Sequence, residues 1–168
     1  MCIRDRAKDF TEKTFERQEV IGPHQVEAGR LWLAKEFYDG EGDTGVGAFG
    51  YFDLNTSTYK LYSPPEVAPY SASAMLVQPD AVWVALYRFG EGSARSAGLI
   101  RWDRKTEQIL RYPVKWTVDS IVQRGTTLYM SADEGFVALS ENKLQYYFVN
   151  RQLSGKHEIV PVENFIAH

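Results

Sequence analysis

One acidic run and five side chains mark where this sequence could do chemistry. The run Asp39-Gly40-Glu41-Gly42-Asp43-Thr44-Gly45 places carboxylates at alternate positions with glycine between them. Oxygens at steps of two converge on a hard cation as the backbone curls, so Asp39, Glu41 and Asp43 are the candidate ligands for Ca²⁺ or Mg²⁺. The pattern is incomplete. Glycine stands at the seventh place instead of the sixth, and the twelfth place, where a loop of this kind carries glutamate, is Gly50. A solvated acidic loop accounts for the run more simply, and no cofactor is otherwise expected.

The five side chains are Arg88, Glu91 and Arg95 in a second loop, with Tyr70 and Trp116 on the neighbouring connections. A planar guanidinium presents paired donors to a carboxylate and stacks on rings, so arginine among aromatics suits an acidic or sugar-like ligand, or a partner protein. A solvated loop with incidental ion pairs is the plainer account of the same charges.

Catalysis finds little support. Of the three histidines, His24 precedes an apolar run, and His157 and His168 lie in the tail, away from both loops. There is no Gly-x-Ser-x-Gly elbow, no phosphate-cradling glycine loop and no His-x-x-x-His pair. The 22 acidic residues allow too many pairings for spacing to single out an acid–base couple.

Composition bounds the partners. With 168 residues, 44% of them hydrophobic and 24% charged, the chain can bury one sizeable core and is too apolar for disorder. Its net charge of −3 offers no basic face for a polyanion, so nucleic acid is not an expected partner. No run approaches the roughly 20 apolar residues that a spanning helix takes, so membrane insertion is not expected.

Residues 1–6, Met-Cys-Ile-Arg-Asp-Arg, resemble a translated adapter remnant of the kind found at the ends of metagenomic reading frames, and are set aside. Without Cys2 the chain has no cysteine, which removes disulfides, thiol nucleophiles and Cys-ligated zinc. Location stays open, with a slight preference for the periplasm or the cell exterior.

The elements that must position these residues repeat. One copy runs from Ile121-Val122 through Leu128-Tyr129-Met130-Ser131 and Gly135-Phe136-Val137-Ala138-Leu139 to a final run at 144–149. An earlier copy has Met75-Leu76-Val77, Val82-Trp83-Val84-Ala85, Gly98-Leu99-Ile100-Arg101-Trp102-Asp103 and a run at 108–114. The first has a run at 26–30, then Leu31-Trp32-Leu33-Ala34, Gly50-Tyr51-Phe52-Asp53-Leu54 and a run at 59–63. An aromatic recurs at Trp32, Trp83 and Tyr129, and a glycine at Gly50, Gly98 and Gly135. These aromatics are expected to pack between repeats, since they sit in mid-strand apolar runs; a stacking platform for a sugar or base is the alternative. Two turns place Thr three residues after Asp, at Asp53/Thr56 and Asp103/Thr106, where side-chain oxygens can accept from turn amides.

Four short strands in 40 to 50 residues, repeated, read as blades. The stretch Asp119–Leu139 resembles a two-component-regulator propeller repeat: an apolar pair, a Gly-Thr-Thr-Leu-Tyr strand, then glycine opening the next strand. The Asp-x-x-Thr turns and the Trp-Val-Ala strand are similar to virginiamycin-B-lyase-like, quinoprotein-like and kelch-like propellers. The resemblance covers residues 20–149 and implies an all-β, partial β-propeller of three four-stranded antiparallel blades, at 20–63, 70–114 and 117–149. Residues 7–19 are expected to form the outer strand of a preceding blade, and 150–168 an edge segment. Three blades do not close a ring, so the remaining blades of a longer native chain are expected partners, and self-association is expected of the isolated chain.

In such a blade the second-to-third-strand loops share one rim with the connections between blades. The long segments 37–48, 64–73, 88–97 and 113–117 all fall there, and binding residues gather on loops longer than a turn needs. The expected function is a non-catalytic module that binds a protein or small polar ligand through that rim. A metal-assisted lyase or hydrolase using rim carboxylates is the competing reading, and a plain scaffold the third.

Overall fold

The computed structural model describes residues 20–37, 45–90, 93–149, 157–161 and 165–166. They form antiparallel strands joined by turns and loops, with no helix among them. The first sheet holds β1 (Val20–Glu27), β2 (Arg30–Glu36), β3 (Phe49–Asp53) and β4 (Thr58–Tyr62), in that spatial order. The second holds β5 (Ser71–Val77), β6 (Ala81–Gly90), β7 (Ser93–Asp103) and β8 (Ile109–Tyr112). The third holds β9 (Val118–Arg124), β10 (Thr127–Ala132), β11 (Gly135–Ser140) and β12 (Lys143–Phe148).

Two further strands cap outer edges: β13 (His157–Pro161) pairs with β12, and β14 (Phe165–Ile166) with β8. The tail thus supplies edge strands to the blades already present, which blunts two otherwise unpaired ladders. The segments at 1–6 and 7–19 lie outside the described residues.

The fold is all-β, a partial propeller of three meandering blades. The first strand of each blade is innermost, since β1 contacts β5 and β5 contacts β9. Every blade but the last is covered on the side facing its successor, and the middle one on both. That explains the near-continuous apolar run of β6: a strand buried on both faces cannot alternate. By contrast β10 alternates, with Leu128 and Met130 buried and Tyr129 and Ser131 exposed.

Between blades 1 and 2, the rings of Trp32, Phe49, Tyr62 and Trp102 form one cluster. Tyr62 lies 4.5 Å and Phe49 5.5 Å from Trp102, and Trp32 6.3 Å from it. Between blades 2 and 3, Trp83 and Tyr112 pack at 5.4 Å over a layer that includes Ile121, Leu128 and Met130. Trp32 and Trp83 are therefore inter-blade packing residues, 1% and 7% exposed. Tyr129 departs from that expectation. It occupies the same place in its blade, yet is 38% exposed because no blade lies over it.

Polar contacts fix the blades in register. The Gln25 side-chain amide donates to the Val77 carbonyl at 3.2 Å and accepts from the Val77 amide at 2.9 Å, standing in for one rung of a ladder between β1 and β5. Arg104 donates to Glu27 at 3.3 Å and to the Gln78 carbonyl at 2.7 Å, with its guanidinium 4.9 Å from the Trp32 ring.

The recurring glycines have a steric cause. A Cβ at Gly50, Gly98 or Gly135 would meet the carbonyl of Lys60, Tyr112 or Tyr147 at 2.0, 2.7 and 2.1 Å. Each carbonyl belongs to the fourth strand of the same blade, which approaches the third more closely than a side chain permits. Gly98 has a φ of +92° as well and sits at the bulge where Leu86 and Tyr87 shift register against β7. The two Asp-x-x-Thr turns also have a defined role. Asp53 accepts from the amides of Asn55 and Thr56 at 3.0 and 3.2 Å, and Asp103 from those of Lys105 and Thr106 at 3.0 and 2.8 Å.

Gly50→Ala is expected to destabilise the chain by roughly 1–3 kcal/mol, the usual cost of overpacking, since only backbone is available to yield; a chemical denaturation midpoint unchanged from wild type would contradict the close approach. A second expectation concerns acid. The turn amides, that of Thr106 foremost, hold the Asp103 carboxyl at about 2, below its ordinary 3.8. A depressed folded-state value gives stability that is full above 3.8 and lost as pH falls towards about 2. The gap in melting temperature between wild type and Asp103→Asn should therefore hold steady above that window and shrink within it. A gap independent of pH throughout would remove the charged turn as the cause.

Candidate functional site

Topology puts every second-to-third-strand loop and every inter-blade connection on one rim, and an opening lies there beside blade 2. β6 and β7 run on past the sheet as a long hairpin, pairing from Leu86↔Gly98 out to Gly90↔Ser93. This extension lifts Arg88 and Arg95 clear of the blade core; they are direct cross-strand partners, so their side chains leave the same face. Beside them opens a cleft of about 630 Å³.

Three guanidiniums line it, from three successive strands: Arg88 on β6, Arg95 on β7 and Arg111 on β8. Tyr70 contributes from the connection between blades 1 and 2, and Pro113 and Val114 from the connection between blades 2 and 3. Ser96, Ala97, Gly98 and Tyr112 complete the described lining, which contains no carboxylate.

Two contacts make this a formed site. Ser96 donates its hydroxyl to the Val114 carbonyl at 2.6 Å and accepts from the Gly98 amide at 3.1 Å, tying the outgoing connection to β7. Arg111 donates to the Ala97 carbonyl at 3.0 Å, and its guanidinium lies 5.6 Å from the Tyr70 ring. One end of the guanidinium is thereby anchored on backbone and ring, which holds it in one orientation at the cleft. Burial raises the Tyr112 hydroxyl above its ordinary value, so at neutral pH this ring offers a neutral phenol.

Electrostatically the arrangement is one-sided. Two arginines face each other across a ladder with a third on the adjacent strand, which builds positive potential in a chain of net charge −3. The cleft walls are otherwise largely apolar, and a lowered local dielectric strengthens what those charges do to an entering anion.

Of the residues singled out from sequence, Tyr70, Arg88 and Arg95 meet in this cleft. Trp116 does not line it: its ring packs edge-on against Tyr146 and Phe148 at 4.9 and 4.8 Å, on the core between blades 2 and 3. Glu91 and the acidic run with Asp39, Glu41 and Asp43 lie outside the described residues. Among the described residues, no cluster of three or more histidine, cysteine or carboxylate side chains could hold a metal.

Sequence reasoning missed Arg111 and Ser96. Arg111 sits two residues before Pro113, at the end of a fourth strand, which the strand order already assigns to the long-loop rim. A residue at a strand end carries no loop-length signal of its own. Ser96 carried no sign of its role, since its value lies in a bond to a carbonyl eighteen residues away.

No family model, curated protein or solved structure matches this chain. Its function is therefore argued from the site.

Ser96→Ala removes the bond that holds Val114 against the hairpin together with the one its hydroxyl accepts from the Gly98 amide. The expected loss is roughly 1–2 kcal/mol, given about 0.5–1.5 kcal/mol for each hydrogen bond. Amide exchange at Gly98 should quicken with it, and an unchanged exchange rate there would show that the latch does not hold the cleft wall.

Proposed function

We propose that this partial propeller is a non-catalytic binding module whose long-loop rim recognises an acidic ligand, either a small polycarboxylate or a carboxylate-bearing segment of a partner protein. One observation carries the reading: guanidiniums from three adjacent strands converge on a single cleft whose described lining holds no negative charge. Tyr70 and the Ala97 carbonyl orient Arg111, so the site meets an anion with one fixed fork beside the two arginines of the hairpin. The blades themselves we read as repeats of the two-component-regulator type, on the strength of the Gly-Thr-Thr-Leu-Tyr motif and the glycine that follows it.

The test is calorimetric titration of the full chain with citrate and with a short polyglutamate peptide at low and moderate salt. Binding should weaken as salt rises, because the attraction is between charges. Arg111→Ala should weaken it at least about tenfold, in line with roughly 1.5–3 kcal/mol for a hydrogen bond to a charged group. Arg88→Ala with Arg95→Ala together should abolish it. Absence of heat with both probes, or equal binding by the triple variant, would remove the cleft as an anion site.

A further inference from the structure

The three blades carry an apolar, largely aromatic layer at matching ladder positions. In blade 1 it is Trp32, Phe49 and Tyr62, and in blade 2 Trp83, Leu99 and Tyr112, each set buried beneath the following blade. The register assigns Tyr129, Phe136 and Tyr147 to those places in blade 3. There the layer lies open. Tyr129 and Phe136 are each more than a third exposed, Phe136 stacks on Tyr147 at 4.3 Å, and Val122 beside Tyr129 is 58% exposed. A terminal repeat that ends an array turns a polar face outward, and this blade keeps the chemistry of an interface.

What such a face accepts can be read from its two covered counterparts. Each is met by the first two strands of the next blade: Val77, Val82 and Val84 over Trp32, and Ile121, Leu128 and Met130 over Trp83. The chain itself holds one more surface of that kind. On the opposite face of blade 1, Val26 takes the position of Val77 and pairs with Leu31, which takes the position of Val82. Val77 is 5% exposed under its neighbour and Val26 is 64% exposed, with Ile21 on the same face also open. Leu33 and Leu61, farther along, are buried in the single chain, so the surface left for a partner is the half beside Val26 and Leu31.

We propose that the open face of blade 3 is a blade-docking surface, and that a second copy of this chain occupies it through the Val26–Leu31 face of its own blade 1. The contact is heterologous, one surface against a different one, so it either closes or propagates. Two copies bring six of the described blades, within the four to eight over which propellers close, so a closed pair is the assembly proposed.

Light scattering on the full chain at micromolar concentration should give twice the 19.2 kDa chain mass. Tyr129→Lys and Val26→Lys should each give monomers with unchanged far-ultraviolet circular dichroism. Mixing the two variants should restore a pair, because each supplies the intact surface that the other lacks. A monodisperse wild-type monomer would overturn the proposal. So would a dimer that Tyr129→Lys disrupts and Val26→Lys leaves whole, since that pattern marks blade 3 faces meeting each other.

Discussion

A blade that is apolar on both faces has no stable existence by itself, and this constraint organises the molecule. Blade 2 shows it most plainly: Val82 and Val84 point into the layer shared with blade 1, while Trp83 and Ala85, their immediate neighbours on β6, point into the layer shared with blade 3. A two-residue period with apolar side chains on both phases requires cover on both sides. Sequential stacking supplies it, and the aromatic layer of Trp32, Phe49, Tyr62 and Trp102 is the largest single piece of that cover. The Gln25–Val77 amide pair and the Arg104–Glu27 bridge add direction to the packing, since apolar faces alone would tolerate a slide along the strands.

Stacking also divides labour between the two rims. On one, the turns are short: Ala28 and Gly29 both take positive φ, as do Glu141 and Asn142, and Asp53 and Asp103 satisfy amides in the β3–β4 and β7–β8 turns. Arg104 reaches the Trp32 ring from this side, so the short-turn rim is committed to holding blades together. The other rim is released from that duty. Its connections can lengthen without disturbing any blade core, which is why the β6–β7 hairpin can carry two arginines beyond the sheet edge at little cost to the fold.

How much of this was legible in the sequence depended on whether the cause was local. Trp32, Trp83, Gly98 and Gly135 could be found because a repeated steric demand leaves a repeated residue type; Gly50, read as their counterpart, stands two places farther along its strand, since the register matches Phe49 with Leu99 and Phe136. The rim could be found because strand order fixes which connections share a side, and Tyr70, Arg88 and Arg95 followed from it. The place of Trp116 could not be read for the opposite reason: a tryptophan on a connection looks available, yet its ring is drawn down onto Tyr146 and Phe148. Nothing in its neighbours by sequence announces that. Tyr129 was read by analogy with two buried tryptophans, and the analogy holds for its position while failing for its exposure, because burial belongs to the neighbouring blade and not to the residue. The change from tryptophan to tyrosine, with a serine at 131 where blades 1 and 2 have Ala34 and Ala85, is the one local sign of that difference.

The cleft belongs to the stack more than to any one blade. Its arginines come from blade 2, but Tyr70 arrives on the connection from blade 1 and Val114 leaves on the connection to blade 3, held by Ser96. Separating blade 1 would remove the ring that orients Arg111, and separating blade 3 would release the wall opposite. A ligand that bound only the assembled cleft would therefore stabilise the packing between blades by mass action, in proportion to its concentration over its dissociation constant. Binding at the proposed site would in this way be coupled to inter-blade cohesion through Arg111, which is anchored on the Ala97 carbonyl of its own blade and lies against the Tyr70 ring on the connection before it.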